Sequence, residues 1–111
     1  MNVYDTTNKL AGELKESEAY IEFKKMKEML KDTPELENKI KEFDILRYET
    51  QIVSMQEGKA PEDKYKKMQD KYMELIKDEM AKKYLEAETK FNTLISDVNR
   101  IIGESIKDIL K

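Results

Sequence analysis

Apolar residues along this chain recur three or four positions apart, and the longest unbroken run of that kind lies near the carboxyl end. Tyr84, Ala87, Phe91, Leu94, Ile95, Val98, Ile102, Ile106 and Ile109 keep one phase, the spacing of a single buried face on an α-helix. A helix over residues 79–110 is predicted, roughly 50 Å long at 1.5 Å per residue. A compact globule built from this length of chain is only about 35 Å across. The seam outreaches the body that should cover it. Either the monomer is elongated or a second chain covers the overhang, and the second arrangement is the expectation.

The rest of the chain reads as shorter helices. Residues 2–15 carry Val3, Leu10 and Leu14 as an expected buried stripe, with Ala11 beside them. Ser17 is placed to cap a second helix over residues 18–31, and Glu18 in its first turn suits the helix dipole. Tyr20, Phe23, Met26 and Leu30 are the apolar positions of that helix. Asp32-Thr33-Pro34 resets the chain, with Thr33 as the expected N-cap and Pro34 at the first helical position. The third helix, 34–57, stops at Gly58, which tolerates positive φ. It bears two stripes, Leu36, Ile40, Phe43 and Leu46 on one side and Ile45, Tyr48, Ile52 and Met55 on another. Two stripes predict two neighbours. Pro61 opens a fourth helix, 61–77, after the short connection Gly58-Lys59-Ala60-Pro61, and Tyr65, Met68, Tyr72 and Leu75 are spaced like a coiled-coil seam. Asp78 is a candidate cap for the last helix, with a continuous or kinked helix from Pro61 onward as the alternative. Val98, Ile102, Ile106 and Ile109 stay in phase across Gly103, so that helix is expected to run through the glycine, which leaves room for a crossing helix.

Composition narrows the class. With 111 residues the chain is one domain at most. Charged residues make up 41 % but the net charge is only −3, and with periodic apolar residues this describes solvated helix faces rather than disorder. Opposite charges four apart (Glu35 with Lys39, Glu37 with Lys41, Glu62 with Lys66, Asp63 with Lys67, Glu79 with Lys83, Glu86 with Lys90) are read as surface pairs, each worth about 0.2–0.5 kcal/mol. Residues Met1 to Asp5 show neither the basic nor the apolar part of a secretion signal, and no run of 18 apolar residues occurs. A cytoplasmic protein is expected.

Chemistry is sparse. The chain has no Cys and no His, which removes thiol nucleophiles, thiolate metal sites, and the commonest metal ligand and general base. The spacing of a calcium loop, a glycine-rich phosphate cradle and a Gly-x-Ser-x-Gly elbow are all missing. A pair of carboxylates distant in sequence remains an open alternative. The densest basic stretches are Lys24, Lys25, Lys27 and Lys31, and Lys64, Lys66, Lys67 and Lys71, but acids interrupt both and only Arg47 and Arg100 are arginines. Direct RNA binding through these lysines is a second alternative. Glu88 falls four after Tyr84 and three before Phe91, so it is expected to point partly inward, held by a tyrosine hydroxyl or Arg47. Seven methionines make the interior adaptable, as a surface that repacks against partners requires.

Several segments together resemble one family. Asn2-Val3-Tyr4-Asp5, Leu10-Ala11 with Leu14-Lys15 and Ser17, Asp32-x-Pro34-Glu35, and Gln56-x-Gly58 are four of them. Tyr84-Leu85-Glu86-Ala87-Glu88 followed by Phe91, Leu94, Ile95, Asp97 and Val98 is the fifth. The order and separations are similar to the YlbF/YmcA family of small helical bacterial regulatory proteins, closest to its YheA-like branch. The resemblance implies an all-α fold, a homo-oligomeric habit and a regulatory role without catalysis. It further implies a link to ribonuclease Y in messenger-RNA processing, and so to competence, sporulation and biofilm control. Cysteines tied to an iron–sulfur cluster in some members have no counterpart here, and the resemblance transfers no catalytic residue.

The sequence thus predicts a single all-α domain: an elongated bundle of about five helices with a long C-terminal helix, dimeric. The expected role is a non-enzymatic cytoplasmic adaptor or regulator without cofactor, bound to itself and to other regulatory proteins rather than to membrane or nucleic acid. The expected interface is Phe91, Leu94, Ile95, Val98, Ile102 and Ile106, with Glu88 as a buried polar position.

Overall fold

The structure is a computed structural model that describes residues 2–59 and 61–110. It is all-helical: α1 (Val3–Glu16), α2 (Glu18–Leu30), α3 (Pro34–Glu57), α4 (Glu62–Leu75) and α5 (Glu79–Leu110). The helix boundaries follow from local chemistry. Asn2 caps α1 by accepting the Tyr4 amide at 2.8 Å. Ser17 closes one helix and opens the next: its hydroxyl donates to the Leu14 carbonyl at 2.6 Å and accepts the Tyr20 amide at 3.2 Å. Gly58 ends α3 with φ of +84°, a left-handed conformation that costs a side chain about 1–2 kcal/mol. Asp78 caps α5, accepting the amides of Met80 at 2.9 Å and Ala81 at 3.1 Å, so α4 and α5 are separate helices.

Some local expectations are corrected. Thr33 makes no side-chain cap bond to α3; its hydroxyl is directed instead to the Met80 sulfur at 3.9 Å. Pro61 is the N-cap of α4 with ψ of 138°, an extended value that postpones the helix to Glu62. The expected connection between α3 and α4 includes Ala60, which lies outside the described residues. Among the described residues, none of the six surface pairs four apart closes. Ion pairs form instead between Arg47 and Asp44 at 2.8 Å, Lys71 and Glu42 at 3.7 Å, and Arg100 with Asp97 at 3.6 Å and Glu104 at 3.8 Å. An exposed pair gains too little to hold two long side chains in one geometry.

The chain divides into two compact units, one formed by Met1–Lys27 with Tyr84–Lys111, the other by Glu28–Lys83. In the second, Leu36, Ile40 and Phe43 bury the first stripe of α3, and Leu30, Leu75 and Ala81 are buried with them. The Phe43 and Tyr72 rings lie 5.9 Å apart, joining α3 to α4. Thr50 is buried too, its hydroxyl donating to the Leu46 carbonyl at 2.7 Å. The second stripe of α3 stays largely open: Ile45, Tyr48 and Met55 are exposed, and Ile52 is half-buried.

The unit holding α1 and most of α5 has its core at Met26, Tyr84, Leu85 and Ala87. Tyr20, Phe23, Tyr84 and Phe91 form an aromatic cluster there, with centroids 5.5–6.0 Å apart, within the range aromatic pairs prefer, and Phe23 meets Tyr84 edge-on. Helix α1 is not a buried element as its stripe suggested. None of its residues is buried, and Val3 is exposed while Leu10 and Leu14 are half-covered. The pattern fixed which side of α1 is apolar, but the chain supplies too little surface to cover it.

Candidate interaction surface

Helix α5 is 32 residues long, about 48 Å, and its apolar face changes character along its length. Tyr84, Leu85, Ala87 and Glu88 are buried, Glu88 at 7 % exposure. Phe91, Leu94, Ile95 and Val98 are half-buried. Beyond them the face opens: Ile101 is 60 % exposed, Ile102 49 %, Ile106 44 %, Ile109 80 % and Leu110 70 %. A row of large aliphatic side chains left in water on one helix face is a candidate interaction surface, which scattered surface leucines are not. Gly103 sits within the helix with nothing within 4 Å of where a Cβ would be. No described residue packs against that position.

Glu88 is the buried carboxylate that the sequence singled out, and it is held by a polar interaction. No buried side-chain nitrogen or oxygen among the described residues lacks a hydrogen-bond partner, as the cost of desolvating an unpaired carboxylate requires. Ala87 is buried beside Glu88.

Sequence reasoning missed one feature of this unit. Tyr20, Phe23 and Phe91, with Lys24 and Lys27, line an open groove of about 250 Å³. Lys27 reaches across the Phe23 ring, its Nζ 5.0 Å from the centroid. The four residues from α2 and the one from α5 are about seventy positions apart, and periodicity within either helix carries no trace of their meeting. The only signal was that two lysines of the first basic stretch fall on turns next to Tyr20 and Phe23.

A second depression, in the other unit, is lined by Leu36, Lys39, Glu42, Lys71, Glu74, Leu75 and Asp78. Two of its three carboxylates are engaged: Glu42 pairs with Lys71 at 3.7 Å, and Asp78 caps α5. Among the described residues, no three acidic side chains converge where a metal ion could sit. No described helix is long and apolar enough to cross a membrane.

Five described helices and an open aliphatic face define a small all-helical protein. The chain belongs to the Com_YlbF family, described as control of competence regulator ComK, YlbF/YmcA, whose model matches residues 3–107. It is similar to a UPF0342 protein of Desulfitobacterium hafniense, 33 % identical over 110 residues that cover 99 % of this chain and 89 % of the relative. A UPF0342 protein of Symbiobacterium thermophilum is 35 % identical, with 94 % and 93 % covered. One from Alkalihalophilus pseudofirmus is 30 % identical, with 97 % and 92 % covered.

Proposed function

We propose that this protein is a non-enzymatic cytoplasmic regulator that acts by helix-mediated association, first with a second copy of itself and then with other regulatory proteins. The observation that carries this reading is the open aliphatic face of α5. Its half-buried part, Phe91, Leu94, Ile95 and Val98, and its exposed part, Ile102 and Ile106, form the self-association surface. Glu88 serves the fold beside it rather than chemistry. The second stripe of α3, Ile45, Tyr48 and Met55, leaves a separate face for a different protein. Membership of a competence-control family supports a regulatory task, and the resemblance to the YheA-like branch supports a connection with ribonuclease Y and messenger-RNA processing. The carboxylate and direct RNA-binding alternatives gain no support from the geometry. No three acids converge among the described residues, and Lys24 and Lys27 flank an apolar groove.

The test is complementation in the native cell. Deleting the gene should alter competence-gene expression, and a copy carrying Ile102→Asp and Ile106→Asp should behave like the deletion while accumulating to the wild-type level. Full restoration by that copy would remove the α5 face from the function.

A further inference from the structure

The apolar stripe of α5 is close to its own mirror image about Arg100. Phe91 and Ile109 each lie nine residues from it, Val98 and Ile102 two, and Ile95 and Ile106 five and six. A two-fold interface requires such self-complementarity, because each residue must meet the partner of its own mirror position. The two halves also differ in form, one offering a groove and the other open side chains. The first half is partly covered and ends at the groove of Tyr20, Phe23 and Phe91, about 250 Å³. The second half presents Ile102, Ile106 and Ile109, all exposed. Arg100 and its partners Asp97 and Glu104 are on the exposed side, so no charge falls on the stripe itself.

From this we infer that α5 pairs antiparallel with α5 of a second copy about a two-fold axis beside Arg100, seating Ile106 and Ile109 of each copy against the aromatic groove of the other. The inference rests on the self-association proposed above and adds its orientation and register. At 1.5 Å per residue, Phe91 of one copy and Ile109 of the other are both about 13.5 Å from the axis on the same side. Asp108 of the second copy then lies level with Asn92, the residue after Phe91 of the groove. Lys24 and Lys27 line that groove, Lys27 with its Nζ 5.0 Å from the Phe23 centroid, and neither makes an ion pair among the described residues, so the acid meets two cations. A parallel pairing would instead set Ile109 on Ile109 and leave both aromatic grooves open.

The chain has no cysteine, so single thiols can be introduced for spin labels. Thr93, Arg100 and Lys107 are all exposed and seven residues apart, which places them on one face, away from the stripe. The variants are Thr93→Cys, Arg100→Cys and Lys107→Cys, measured one at a time by pulsed dipolar spectroscopy on the full chain. The inference expects the shortest distance at position 100, with positions 93 and 107 equal to each other and about 6 Å longer, since each pair is offset by roughly 21 Å along the axis. Three equal distances, or a steady change from 93 to 107, would overturn the antiparallel register and leave self-association intact. Absence of dipolar coupling at all three sites, with a monomeric mass in solution, would overturn both.

Discussion

Replacing Ile106 with alanine separates a surface that is finished by a second molecule from one that simply faces water. Burying an isoleucine side chain completely is worth about 1.5–3 kcal/mol relative to leaving it exposed. Ile106 is still 44 % exposed in the single chain, so about 1 kcal/mol per copy, and about 2 kcal/mol across a two-fold pair, remains to be gained on association. At 1.4 kcal/mol per decade, and allowing for the methyl that alanine keeps, Ile106→Ala should raise the dimer Kd about 20-fold. The fold of the single chain should not suffer, because alanine is the best helix former and the position is solvated there. Sedimentation equilibrium over a hundredfold range of concentration gives the Kd, and circular dichroism on the dissociated chain gives the helix content. A Kd within threefold of the wild type, at unchanged helicity, would refute the assignment of Ile106 to the interface.

Two further substitutions probe the helix ends. Asp78→Ala removes the oxygen that accepts the Met80 and Ala81 amides, and should cost about 1 kcal/mol in urea unfolding; a loss under a few tenths would mean that water replaces the cap freely. Gly58→Ala forces a side chain into φ of +84° and should cost about 1 kcal/mol. Space is open around that position, so an unchanged midpoint would mean that α3 unwinds by a residue instead.

What could be read in the sequence and what could not divide along the range of the interactions. Ser17, Pro34, Gly58 and Asp78 act on their own neighbours within four residues, and their effects were legible because capping and positive φ are local matters. The all-helical class and the long last helix were legible for the same reason, since periodicity of 3.6 is a property of one segment. Whether a stripe is covered is a property of two. The stripe of α1 and the second stripe of α3 have the same spacing as the first stripe of α3, yet only Leu36, Ile40 and Phe43 meet enough of the chain to be buried. The aromatic groove joins α2 to α5 across most of the chain length, and no local pattern encodes it. The surface ion pairs were mislocated because four-residue spacing permits contact without making it favourable. Arg100 instead sits between Asp97 and Glu104, a choice that spacing alone did not single out.

Mass in solution decides the central claim. Light scattering on the intact chain, followed from tens of micromolar downward, should give twice the 13.2 kDa of one chain, falling toward the single value on dilution. A mass of one chain at every concentration would mean that Ile101, Ile102, Ile106 and Ile109 stay in water, and the account would fail.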